Sequence, residues 1–270
     1  MKFKIGFTAE KEENPTSTTS ITPPPKPEAV NSLVQVKFPS MSKPLTYYND
    51  MFDLKIGDMV YVEGKLEGKC GTVVDIEYNF KIKLFQFERV VVVVDTEVHG
   101  QFYVAGSHFV TFDPLAIPKE KIASWFMAPS NADEIYVVGY DDTSFPLSDI
   151  HAFKIGQQIA ERGFEYYSEN RVCYISIDGT KGYAFVDGSE GYEVEFIYED
   201  GQISHLICSC PCGYHCKHEF ATLLQLRETL DLIETNYAEQ YEKSKYFAAI
   251  SKISLFKYAI DGRKNGSITL

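Results

Sequence analysis

Cysteine, histidine and tryptophan are scarce in this sequence: six, six and one among 270 residues. No run approaches eighteen apolar residues, which excludes a membrane-spanning helix. The opening stretch MKFKIGFTAEKEEN has lysines but not the continuous apolar segment of a secretory signal. Both absences predict a cytoplasmic protein without a membrane partner. Thiols stay reduced there, and clustered cysteines hold metal rather than form disulfides. Positive charge is also in deficit, with 26 Lys and Arg against 38 Asp and Glu, a net charge of -12. The chain as a whole repels a polyanion, so any nucleic-acid contact needs a local basic patch. Catalytic signatures are missing too. The chain has no Walker A loop, no G-x-S-x-G, no G-x-G-x-x-G and no H-E-x-x-H.

What is present supports a packed core, with 44% hydrophobic and 14% aromatic residues. Residues 1–9 include KFKIGFT, an alternating stretch that reads as an edge strand. Residues 10–30 are rich in Pro, Ser and Thr, and three consecutive prolines favour an extended linker. From 31 to 130 the pattern is mostly β. LVQVKF alternates, glycines punctuate short strands, and the apolar, β-branched run Val90–Val94 reads as a strand buried on both faces. A short helix is expected over PKEKIASWFMAP. Cys70 and Cys173 lie far apart in β-segments and read as small core residues. His99, His108, His151 and His205 are isolated and read as non-ligands.

Within this part, Gly57-Asp58-Met59-Val60-Tyr61-Val62 and Gly71-Thr72-Val73-Val74-Asp75-Ile76 resemble the GD-x-V-x-V…G-x-V-x-x-I form of SH3-like small β-barrels. The resemblance implies a small β-barrel-type domain. It does not assign a function, since fold alone does not carry one.

The second half is α+β. A helix is expected over LSDIHAFKIGQQIAERGFEYY, with Ser148 as N-cap and Gly163 as its stop. Four alternating strands follow over 171–208, joined by the turn segments DGT, GSE and EDG, and read as an antiparallel meander. The last runs into CSCPCGYHCKHEF, residues 208–220, which holds four of the six cysteines and two of the six histidines. As ligands it offers Cys208-x-Cys210 and, after five residues, Cys216-x-His218. Thiolates and imidazole are the donors zinc prefers, and four of them close a tetrahedron. Cys212 or His215 are rivals inside the motif for one of these places. An apolar helical pattern begins at about residue 217, so a metal would clamp the meander's end to a helix start.

The stretch CSCPCGYHCKHEFATLL resembles the SWIM zinc finger, C-x-C-x(n)-C-x-H. The resemblance covers about a quarter of the chain, inside a domain expected over residues 131–235, and implies Cys208, Cys210, Cys216 and His218 as ligands of one structural zinc ion. The loop between Cys210 and Cys216, at five residues, is short for the family. The family implies nucleic-acid or protein binding. Three thiolates leave a metal a poor Lewis acid, so the expected protein is a non-enzymatic binding module. Residues 236–270 carry the one clearly basic stretch and read as an amphipathic helix or tail. Lys243, Lys245, Lys252 and Lys257 are its candidate contacts to DNA or RNA. The first expected function is a nucleic-acid-associated adaptor, and the second is a protein–protein interaction module, which the acidic net charge favours. A zinc-thiolate redox sensor is a third class of function.

Overall fold

The structure is a computed structural model that describes residues 4–6, 31–128, 139, 143–260 and 267–270. The Pro-rich segment 10–30 and most of 129–142 lie outside the described residues. Among the described residues the fold is mixed, with sixteen strands in three mainly antiparallel sheets and few helices.

Strand β1 (Lys4–Gly6) precedes the linker. Strands β2 (Ser32–Lys37), β3 (Leu45–Asn49), β4 (Met59–Val62), β5 (Gly71–Glu77) and β6 (Val90–Val93) form one sheet in the order β3-β2-β5-β4-β6. Alternation explains it. Val34, Val36, Val60, Val62 and Val73 all turn inward onto a common core with Phe38 and Tyr47. The ladder order of this sheet is open. One bridge, Tyr48 to Arg89, brings its edges together, so the SH3-like barrel expected here is not established. The run Val90–Val94 is buried only in part. Val90 and Val94 are buried in two different cores, with Val93 packed against the first and Val92 against the second, but Val91, in this edge strand, is 37% exposed.

The chain continues through β7 (His99–Gln101), β8 (Tyr103–Ala105), β9 (His108–Thr111) and helix α1 (Lys119–Phe126). After β10 (Ser144–Pro146) comes α2 (Gln157–Ser168). The expected helix start at Ser148 is replaced by a separate short 3-10 turn over Ile150–Ala152. Gly163 lies inside α2, not at its end. It is buried where α2 crosses the next long helix, and an added Cβ would stand 2.9 Å from the Lys217 carbonyl oxygen.

Strands β11 (Val172–Asp178), β12 (Lys181–Asp187), β13 (Gly191–Glu199) and β14 (Gln202–Cys208) pair consecutively as an antiparallel meander. Asp200 and Gly201 both have positive φ, 48° and 77°, which is the backbone a tight hairpin with right-handed strand twist requires. Then come α3 (Lys217–Ser244), β15 (Tyr246–Ser251), the short α4 (Lys252–Leu255) and β16 (Ser267–Thr269). Among its described residues, the stretch expected as a basic amphipathic helix is thus a helix end, a buried strand, the short α4 continued by a π-helical turn over Phe256–Ile260, and β16. Every residue of β15 is buried. It lies between β11 and β9 in an eight-stranded sheet ordered β10-β14-β13-β12-β11-β15-β9-β8. Strands β8 and β9 therefore share a sheet with the meander. A third sheet joins β1, β16 and β7.

The eight-stranded sheet is covered on both faces. On one, Ile175, Ala184, Val194, Phe247 and Ala249 pack against Leu223, Leu226 and Ile233 of α3. On the other, Tyr174, Phe185, Ala248 and Ile250 pack with Ile122 and Trp125 of α1, and with Met59 and Tyr61 of the five-stranded sheet. Among the described residues no helix is long and apolar enough to cross a membrane.

Candidate metal centre

The meander ends where α3 begins, and the junction brings the four sequence-predicted residues together. Cys208 is the last residue of β14. Cys210 follows after one residue of turn. Cys216 is the N-cap of α3, and His218 is the second residue of that helix. One ligand atom from each lies within 4.8 Å of the others, so the group can hold one metal ion. Cys210, Cys216 and His218 are buried, and Cys208 is half-buried. Cys212 is exposed and outside the group, and His215 turns its Nδ1 to the Glu219 carboxylate at 3.1 Å.

Local structure fixes each donor. Cys216 takes the place Ser or Thr holds in a capping box. Its sulfur accepts from the Glu219 backbone N–H at 3.5 Å, and Glu219 Oε2 accepts from the Cys216 N–H at 2.9 Å. The His218 imidazole is held between rings. Tyr192 of β13 stacks on it at 4.3 Å with 23° between planes, and Tyr166 of α2 meets it edgewise at 5.4 Å. These contacts aim Nδ1 at the sulfurs, 3.7 Å from both Cys208 Sγ and Cys216 Sγ. The opposite nitrogen, Nε2, is buried with no hydrogen-bond partner. Sequence reasoning missed Glu219, Tyr192 and Tyr166. The Glu three residues after Cys216 was a legible capping-box signal, whereas the two tyrosines come from distant segments.

The electrostatics are those of crowded thiols. A hydrogen bond from Cys208, with help from His218 and the helix N-terminus, draws Cys216 down to about 4 despite burial. That same hydrogen bond to Cys216, then burial, pushes the Cys208 thiol up. Burial pushes Cys210 up to about 12. Burial, and the Cys216 thiolate beside it, raise Glu219 to about 8.

Cys70 and Cys173 pack on the core shared with α1 and lie outside the group. Burial raises both to about 11. Of the candidate phosphate contacts, Lys245 pairs with Glu242 at 2.7 Å and Lys252 donates to the Gly106 carbonyl at 2.7 Å. Lys257 lies over the Tyr258 ring, 4.8 Å from its centre, and Lys243 is exposed near the end of α3. They are spread over the end of α3, the residue that caps it, α4 and the π-helical turn Phe256–Ile260 that follows.

Compared with models of known protein families, with curated proteins and with solved structures, the chain matches none.

Proposed function

We propose that Cys208, Cys210, Cys216 and His218 bind one zinc ion as a structural staple, in a non-enzymatic binding module of the SWIM type. The observation that carries this is the convergence of three sulfurs and one imidazole nitrogen within 4.8 Å. Two edges of the group fit. Tetrahedral zinc with Zn–S of about 2.3 Å and Zn–N of about 2.0 Å separates a sulfur from a nitrogen by about 3.5 Å. Both sulfur-to-Nδ1 distances are 3.7 Å. Burial of all but one donor, and four donors with no fifth in the group, suit a closed structural site rather than one open to substrate.

The reading of partners rests on charge. The chain's net charge of -12 opposes phosphate, and three of the four tail lysines are engaged with their own chain. A protein partner is the better-supported reading, and DNA or RNA the second.

Elemental analysis of protein purified without chelator tests the staple. The expected result is one zinc per chain. Cys216→Ser should lose most of it, and Cys212→Ser should keep it. A folded, metal-free parent would remove the staple. Salt-dependent association with DNA or RNA at low ionic strength would restore the nucleic-acid reading.

A further inference from the structure

Away from the thiols, on the sheet face opposite α3, a cleft of about 690 Å³ opens between the meander and the segment leading into α1. Small-molecule sites span roughly 300–1,000 Å³. Tyr174, Tyr183 and Tyr246 line its floor, from β11, β12 and β15. Glu120, Asp178 and Glu195 line its rim and are exposed. Glu193 stands behind, accepting from the Tyr183 hydroxyl at 2.8 Å. Against these four carboxylates the lining offers Lys119 and Lys181. Burial first, and after it Glu193 for Tyr183 and the Tyr174 phenol for Tyr246, push these two phenol groups up, so the rings stay neutral beneath an acidic rim.

One ammonium already sits in this setting. Lys119 Nζ lies 4.0 Å from the centre of the Tyr183 ring and 2.6 Å from Glu195 Oε1. A ring face on one side and a carboxylate on the other is the grip an organic cation favours. Lys119 opens α1, and its side chain is 41% exposed, so it can swing out. Among the described residues neither Glu120 nor Asp178 has an ion-pair partner.

The register sets the spacing of the anchors. Glu195 pairs with Tyr183, Tyr183 with Ser176, and Asp178 lies two residues beyond Ser176. Two strand spacings and two residue rises place the Glu195 and Asp178 backbones about 12 Å apart. Two carboxylates at that separation, with rings between them, match a ligand carrying more than one cationic group on a flexible stem.

We propose that this cleft binds an alkylammonium or guanidinium ligand, and that Lys119 is the chain's own stand-in for it. The same chemistry comes from Lys or Arg side chains of a peptide and from a free polyamine. Calorimetric titration of the full chain at low salt, with spermidine in one arm and a blocked peptide containing two lysines in the other, tests it. Saturable binding is expected in at least one arm. The arm that binds more tightly identifies the source.

Asp178→Asn with Glu120→Gln should weaken that binding tenfold or more. Glu190→Gln with Glu239→Gln removes the same charge at exposed positions away from the cleft and should change it less than twofold. Lys119→Met should strengthen binding threefold or more, while Lys154→Met, an exposed control, should not. All the substituted side chains but Lys119 are exposed, and unfolding curves establish that each variant is folded. No saturable binding in either arm overturns the proposal. So does equal weakening by the two charge-matched pairs, or a Lys119→Met protein that binds no better than the parent.

Discussion

Histidine 108 shows how one residue's surroundings set a pH dependence. It sits at the start of β9 with no exposed surface. Its Nε2 faces the Val172 carbonyl at 2.8 Å, and its Nδ1 faces the Ser107 hydroxyl at 2.9 Å. A carbonyl only accepts, so Nε2 carries the proton and Nδ1 accepts from the hydroxyl. Both nitrogens of the neutral ring are satisfied. Burial, reinforced by Lys252, lowers the pKa from 6.5 to about 4, against the pull of the Val172 carbonyl. Below 6.5 the unfolded imidazole takes up a proton that the folded one refuses. Its contribution to stability is therefore intact at neutral pH and is lost as pH falls from about 6.5 to about 4. Between pH 7 and pH 5 the loss is about 2 kcal/mol. Urea unfolding at these two values should show that extra loss in the parent and not in His108→Gln. Equal losses in the two proteins would mean that His108 is charged in the fold or already neutral in the unfolded chain.

At the scale of elements, the metal centre depends on how closely α2 approaches α3. Gly163 is at the contact. A Cβ there would stand 2.9 Å from the Lys217 carbonyl oxygen and 2.9 Å from Phe220 Cβ. Lys217 lies between Cys216 and His218, so pressure at this point reaches two candidate ligands directly. Glycine inside a helix usually costs about 1 kcal/mol relative to alanine. Here the contact is partly backbone, and relieving it means moving a helix. Overpacking of this kind costs about 1–3 kcal/mol. Gly163→Ala should therefore lower the urea midpoint and speed loss of metal to a chelator, although alanine is the better helix former. A raised midpoint would show that the helices have room to spare.

The sequence made the helical periodicity around Gly163 legible but not the close crossing, and so glycine read as a stop. The hairpins were easier. Asp200-Gly201 needs no partner beyond its own strands to declare a turn. The Cys/His group was legible because C-x-C and C-x-H spacing is local. That His218 rather than His215 lies in this group follows from its position on α3 and from the Tyr192 and Tyr166 rings, which arrive from β13 and α2.

At the scale of the whole molecule, the least legible element is the one that joins the most. YFAAIS lies among lysines and alanines, and its apolar residues fit a helical face as well as a strand. The tertiary structure decides: β15 pairs with β11 from Tyr174↔Ile250 to Asp178↔Tyr246 and with β9 from Ala248↔Thr111 to Ser251↔His108. Phe247 and Ala249 enter the core under α3, while Ala248 and Ile250 enter the core under α1. Burying a Phe or Ile side chain contributes roughly 1.5–3 kcal/mol each. Losing both is comparable with a large part of a stability of about 5–15 kcal/mol. Removal would also expose two unpaired strand edges, at β11 and at β9. The five-stranded sheet keeps a core of its own around Val34, Val60 and Val73. A chain stopped after Ser244 should therefore lose amide protection across β8, β9 and β11 and retain it in β2, β4 and β5. Hydrogen exchange read peptide by peptide distinguishes this from a dispensable tail, for which protection in β9 and β11 would match the full chain.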